Sequence, residues 1–575
     1  MKRQKGIQLR LMKTNSISDY IVCLALALGL VAAPYYVKTG SCALSFTYFI
    51  TVIIVFLALL TISALIRKLI VRNVENNKYK NRYLILWDKM LNSKYAFFWL
   101  MLIILAFWSP IIISLYPGTL INDTWGQLSE YIQHFNIGGV YSGQLSDHHP
   151  FIDTLIMGTI ITPFGEKLHN WQLGFFVYTI IQVILTSFSF AATIVYSFKK
   201  LKVKSSYLLI ICLFYGLCPV FPISAQTISK DALFSWIYVL FILLFIEVIR
   251  TQGKCLLNYK YMILLIIVAS LCMFTKKVGL YIIGLSLFSI IIFIPKFRVR
   301  SSIVLGVVLL ISVGLIGGVK SSLNVLPGGK QEMFSIPFQQ SARYMREYKN
   351  DVTKQEYRAI NKLIDVKTAG EKYDPLNADP VKGFADRGNA LEFKNYLTSW
   401  YQEGIRHPKV YIAAFNAMVS GWFSFEEYLP LTNMGWHSQL DPKLIPESAS
   451  IRPKLFNAAS NVVQSVSDNL YRNSIFQIFL SYAFYASIMP AFIVATLLRK
   501  WYSKDLKYYW LSAIPFVLSI ILGCWLAPLS ISFEGRRYLY PVVYTLPIML
   551  MLCLSMYQKK YRKVKHSSAR SINEE

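Results

Sequence analysis

Apolar runs of about membrane-spanning length recur along this chain, and they constrain its fold more than any other feature. Crossing a bilayer takes about 20 apolar residues, with some spans as short as about 17. Runs of roughly that size fall at 20–37, 43–66, 96–115, 170–197, 206–222, 232–249, 259–274, 279–294, 301–319, 475–497, 508–527 and 538–556. They predict an all-α polytopic membrane protein with a bundle of about 12 transmembrane helices. Composition agrees: 55% of the 575 residues are hydrophobic and 15% charged, too apolar for a soluble multidomain protein. Two further apolar pieces are too short or too polar to cross. Phe151 to Phe164 contains Asp153, and Val410 to Phe425 contains Asn416 and ends at Glu426 and Glu427. Both are expected to lie at the outer interface or to re-enter it.

The formal charge of +29 could point to nucleic acid, so its position matters. With the N-terminus inside, the cytoplasmic segments are 1–19, 67–95, 198–205, 247–260, 295–300, 498–507 and 557–575. They hold 33 Lys and Arg against seven acidic residues, which leaves only +3 for the rest of the chain. This is a positive-inside pattern, and no nucleic-acid partner is needed to explain it. The expectation is an integral protein of the cytoplasmic membrane with both termini cytoplasmic. Eight cysteines fall nearly all in apolar runs, without a CxxC and with none in 320–474. That excludes a disulfide framework there and gives no zinc spacing. The run from Tyr20 to Val37 lacks a convincing cleavage site and reads as the first helix rather than a signal peptide.

The chain then divides into an N-terminal hairpin and cytoplasmic loop (1–95), a transmembrane module (96–319) with a first outer loop (116–169), an extracytoplasmic soluble segment (320–474), a C-terminal three-helix part (475–556) and a basic tail (557–575). The soluble segment carries turn signals such as PGGK, DPLNADP and DRGN, and is expected to be a small, mostly helical cap.

The first outer loop, with the helix it leads into, concentrates the proton-handling groups: Asp123, Asp147, His148, His149 and Asp153, with Glu130, Glu166, Lys167, His134 and His169 nearby. Three short outer turns add charge, namely QTISKDAL with Lys230 and Asp231, FTKKVGLY with Lys276 and Lys277, and FEGRRYLYP with Glu534, Arg536 and Arg537. Basic residues at helix ends often only snorkel to the interface. Outer turns, however, are where the charge bias predicts few cations, so a converging set suggests a pocket. A cationic pocket facing a carboxylate suits a substrate that carries phosphate and reacts at a hydroxyl. Lys and Arg would hold the developing phosphate charge, and a carboxylate would deprotonate the acceptor. Asp123, just past a helix end, is the expected base. Asp147 and His148 are second catalytic candidates or ligands for a divalent cation (Mg or Mn), although DHHP alone forms no closed ligand set. His149, Lys230, Asp231, Lys276, Lys277, Arg536 and Arg537 are the expected substrate-binding residues.

At these residues the chain resembles the GT-C superfamily of polyprenyl-phosphate-sugar-dependent membrane glycosyltransferases. In that family a long first outer loop carries the catalytic Asp, and a second large outer segment follows the seventh helix of the module. Counted from the run at 96–115, the acidic loop here follows helix one and 320–474 follows helix seven. The resemblance implies that Asp123 of YPGTLINDTW is the catalytic carboxylate, with an inverting mechanism. Lys230, Lys276, Lys277 and Arg537 match positions that meet lipid phosphate. DHHPF, SKDAL and RRYLYP are also similar to the uncharacterised bacterial family catalogued as domain of unknown function 6020. The first two spans are additional to the GT-C module, and Asn122 stands where an acidic pair would be completed.

The leading expectation is therefore a transferase moving sugar from a polyprenyl-phosphate donor to an envelope glycan, lipid or protein acceptor. A transporter or flippase of lipid-linked glycans would instead place charges in mid-span and show related halves. A noncatalytic membrane scaffold would rely on 320–474. The absence of a P-loop or HExxH argues against an ATP-driven pump or zinc protease.

Overall fold

A computed structural model describes residues 16–39, 45–75, 82–139, 143–383, 388–429, 445–446, 453–499, 507–526 and 535–573. Apart from two strands of two residues each, every regular element described is a helix. Eight helices are long and apolar enough to cross a membrane: Ile17–Tyr35, Phe46–Ile70, Ala96–Ser114, Trp171–Lys199, Lys230–Arg250, Pro295–Ser322, Lys507–Trp525 and Arg537–Lys559. A ninth results if Ser205–Leu217 and Val220–Gln226, bent by 53°, form one span. The chain is thus an all-α protein with the character of an integral membrane protein.

Among the described residues, three of the twelve expected spans fold as shorter apolar helices: Tyr259–Thr275, Lys277–Phe293 and Ala483–Leu498. Lys276 takes an extended backbone (φ −153°, ψ 126°) and separates the first two. Ser481, also extended, cuts the run at 475–497. A helix of 17 residues rises about 25 Å, at the lower limit for crossing a hydrocarbon core of roughly 30 Å. Phe151–Leu168 forms an 18-residue helix that falls outside the spanning set. Val410 to Phe425 folds as Pro408–Val419 and a turn, too short to cross.

Lys230–Arg250 and Arg537–Lys559 are buried nearly all round, whereas Pro295–Ser322 exposes apolar side chains along most of its length. A helix apolar on every face belongs either in a core or against lipid, and this bundle contains both kinds. At one end of the bundle, the segments that the charge pattern groups together touch one another. Arg67 pairs with Asp19 at 2.9 Å, Arg499 stands 3.8 Å from the same carboxylate, and the Trp87 indole donates to the Ser205 carbonyl. Within 320–474, Ser335–Glu347, Lys354–Asn361, Ala390–Arg406 and neighbouring helices enclose a separate core around Phe338, Tyr344, Ile360 and Tyr396.

The two strands set the geometry at the other end. Thr119–Leu120 pairs in parallel with Thr227–Ile228, Thr119 opposite Thr227 and Leu120 opposite Ile228. All four residues are buried, so their polar groups need partners. The Gln226 amide donates to Thr119 Oγ1 (2.6 Å), and the Gln182 amide donates to the carbonyls of Ala225 (2.7 Å) and Thr227 (2.8 Å). Thr124 Oγ1 donates to the Ile228 carbonyl. Just before the first strand, Gly118 has φ +122°, and a Cβ there would stand 2.2 Å from Thr179 Oγ1. Only glycine takes that backbone and that approach without strain.

Replacing Gly118 with Ala is expected to cost about 1–3 kcal/mol, read as a lower melting temperature of the detergent-solubilised protein. Adding Thr179→Ala should restore the steric part of that loss. An unchanged melting temperature for Gly118→Ala alone would refute the strain assigned here.

Candidate functional site

The strand pair leads directly into two helices. Asn122–His134 begins two residues after Leu120, and Lys230–Arg250 begins two residues after Ile228. Ser229 caps the second by accepting from the Ala232 amide. Asp123 and Lys230 are thereby brought together, with Lys230 Nζ donating to Asp123 Oδ2 at 2.7 Å. The turn Gly535–Leu539, at the head of the central C-terminal helix, delivers Arg537, whose Nη1 donates to the same oxygen at 2.7 Å. One carboxylate oxygen is therefore shared between an ammonium and a guanidinium.

A second ion pair lies beside it. Lys276 Nζ is 2.7 Å from Asp231 Oδ1, and Arg537 Nη1 is 3.8 Å from Asp231 Oδ2. Asp231 is 1% exposed. His149 completes the inner group: its Nδ1 is 2.7 Å from Lys230 Nζ and 3.9 Å from Asp123 Oδ2. An ammonium can only donate, which makes Nδ1 the acceptor and puts the imidazole proton on Nε2. Burial, then Lys230, push the His149 imidazole down to about 3, so it is neutral. Burial alone would raise Asp123, but Lys230, Arg537 and His149 outweigh it and hold the carboxyl well below the usual carboxylate range. Among the described residues, the inner network counts three cations and two carboxylates.

Asp153 lies in the first turn of Phe151–Leu168 at 1% exposure. Burial raises its carboxyl well above the usual range, and it makes no ion pair among the described residues. Glu130 serves a structural purpose, accepting from the Ser146 amide (3.2 Å) and hydroxyl (2.8 Å) to tie down the loop before the two histidines.

The remaining candidates form a distinct outer network. Asp147 Oδ2 is 2.8 Å from Lys320 Nζ and 3.8 Å from Lys277 Nζ, and Lys277 also donates to the Asp147 carbonyl. The adjacent lysines at 276 and 277 thus belong to different networks. His148 and His149 join them, their rings 4.6 Å apart. The side chain of Arg536 and the whole of Glu534 lie outside the described residues. A divalent cation is a poor fit here. Asp123, Asp147 and Asp231 are each held by lysine or arginine, and among the described residues no three His, Cys, Asp or Glu groups could share a metal ion.

Lys320, Gln182 and Gln226 have no forecast in the sequence reading. Lys320 marks only a segment boundary, Gln182 is an ordinary polar residue within the run 170–197, and Gln226 opens the QTISKDAL turn; their partners are set by tertiary contacts.

Because the unfolded His149 pKa is near 6.5 and the folded one about 3, the unfolded chain binds the extra proton between those values. The His149 contribution to stability should therefore fall as pH drops below about 6.5, by up to roughly 1.4 kcal/mol per pH unit, while the raised carboxyls of Asp153 and Glu130 act in the opposite sense. His148, lowered chiefly by burial, acts in the same direction as His149. Asp123 has a depressed folded value, so its contribution is complete above about 3.9 and is lost only at lower pH. His149→Gln should flatten the melting-temperature profile between about pH 6.5 and 4.5; an unaltered slope would contradict a neutral buried imidazole.

No curated protein and no solved structure matches this chain. A family described as "Family of unknown function (DUF6020)" matches residues 10–569, nearly the whole length, and the chain belongs to that family.

Proposed function

We propose that this protein is a GT-C-type membrane glycosyltransferase that moves a sugar from a polyprenyl-phosphate donor to an envelope glycan, lipid or protein acceptor on the extracytoplasmic face. The observation that carries this reading is the Asp123 carboxylate clasped by Lys230 and Arg537 in a mostly buried group of three cations and two carboxylates. Buried cations gathered at one place favour an anionic ligand. Lys230 and Lys277 also stand at the first positions of helices, where the helix dipole disfavours a cation and favours an anion. Phosphate meets both conditions.

In the chemistry proposed, the donor phosphate takes over Lys230 and Arg537. Asp123 then loses the partners that depress it and can accept a proton. The acceptor oxygen attacks the anomeric carbon as the bond from that carbon to the phosphate oxygen breaks. The acceptor proton passes to Asp123, and polyprenyl phosphate leaves with its charge held by Lys230, Arg537 and Lys276. Asp231 positions Lys276 and Arg537 for that task. In support of a transferase over a flippase, these charged groups sit at helix starts and turns rather than along a path through the spans.

Asp123→Asn is expected to lower transfer by about 10²–10⁴-fold while polyprenyl-phosphate binding is kept, whereas Lys230→Ala should weaken that binding. Mass spectrometry of envelope glycans from cells with and without the protein would identify the product, after which the variants are assayed in nanodiscs. Full transfer by Asp123→Asn would remove the assigned base.

A further inference from the structure

The sequence presents Lys276 and Lys277 as one basic pair, yet the fold points them to different places. Lys276, with its side chain 7% exposed, joins Asp231 in the inner network, while Lys277, 51% exposed, reaches Asp147. Lys320, 35% exposed, approaches the same carboxylate. Two ammonium groups meet one carboxylate here, within reach of water, and Glu332, itself paired with Lys382 at 2.6 Å, adds its field at Lys277. The network is built from four stretches of chain. The Asp147 amide donates to the Leu326 carbonyl (2.7 Å) and the Leu326 amide to the Leu145 carbonyl (2.8 Å), clipping the histidine loop to the start of the segment 320–474. A Cβ on Gly328 would stand 2.5 Å from the Asp147 carbonyl oxygen and 2.9 Å from Lys277 Nζ, so glycine keeps this corner open.

Lys330, two residues farther on, lines an open groove of about 610 Å³ with Phe334, Phe393, Lys394 and Tyr401. Aromatic faces flanked by lysines suit a chain of sugar or polyol units that carries negative charge. The groove is lined by the turn Lys330–Phe334 and the helix Ala390–Arg406; with 320–474 read as extracytoplasmic, this favours a ligand arriving through water over one arriving in the bilayer.

We propose that Lys277 and Lys320, spaced by Asp147, form a second anion station that holds a phosphate group of a water-borne polyanionic acceptor beside the donor site. This rests on the transferase reading and narrows its acceptor to a phosphate-bearing polymer. His148 follows Asp147 in the chain, and its ring is 4.6 Å from that of His149.

The test uses the full chain in phosphatidylcholine nanodiscs, with a glycerol-phosphate trimer as probe and polyprenyl phosphate present at saturation. The wild type should bind the trimer and the donor lipid together. Lys320→Ala should weaken the trimer by about tenfold or more and leave polyprenyl-phosphate affinity unchanged, and Lys320→Arg should restore it. The arginine variant also serves as the control for folding, checked by melting temperature. Displacement of the trimer by polyprenyl phosphate, an undiminished affinity in the alanine variant, or equal binding of uncharged maltotriose would each overturn the second station. Competition by phosphatidylglycerol nanodiscs would assign it to a lipid headgroup instead, against the proposal. Failure of polyprenyl phosphate to bind the wild type would bring down the transferase reading itself.

Discussion

At one end of the bundle, a single carboxylate oxygen of Asp123 accepts from both Lys230 and Arg537 at 2.7 Å. These residues come from the loop after Ala96–Ser114, the head of Lys230–Arg250 and the turn before Tyr540–Asn573, so the contact ties together three remote parts of the chain. Two of them carry the most enclosed helices of the structure. Charges so placed are costly to desolvate and persist only with geometry that compensates them. The buried strand pair, with Gln182 and Gln226 satisfying its backbone and Thr119, supplies that geometry.

The same arrangement leaves Asp123, the base of the proposed function, unready to accept a proton at rest. A carboxylate held between an ammonium and a guanidinium has little affinity for a proton. An incoming phosphate would compete for both cations and would also add negative charge near His149, raising the proton affinity of each. Under the proposed function, the group that is to leave also prepares the group that is to deprotonate. That coupling would suppress proton transfer until a donor is present.

Separation of the inner and outer networks is the other consequence of the fold. Lys276 and Lys277 are consecutive, but the extended backbone at Lys276 interrupts the helix there and sends the two side chains apart. The inner network is dry and tightly paired, and the outer one is wetter and looser. Similar charge patterns therefore have different ligand-binding character, decided by burial.

Much of this was written in the sequence. Hydrophobic runs gave the all-helical membrane character because lipid and core both demand unbroken apolar surface, and the polar outliers Asp123, Lys230, Asp231, Lys276 and Arg537 stood out against them as costly exceptions. Hydropathy alone could not tell a full span from a short helix, since Tyr259–Thr275, Lys277–Phe293 and Ala483–Leu498 are just as greasy as longer ones. Nor could it pair the charges. Asp123 with Lys230 and Arg537, Asp231 with Lys276, and Asp147 with Lys277 and Lys320 are contacts across 107 or more positions in most cases and 45 in the nearest. Residue chemistry determined which groups had to find partners. Only the packing of helix ends around a two-residue sheet decided which partners they found, because that choice depends on distances between segments that no local pattern encodes.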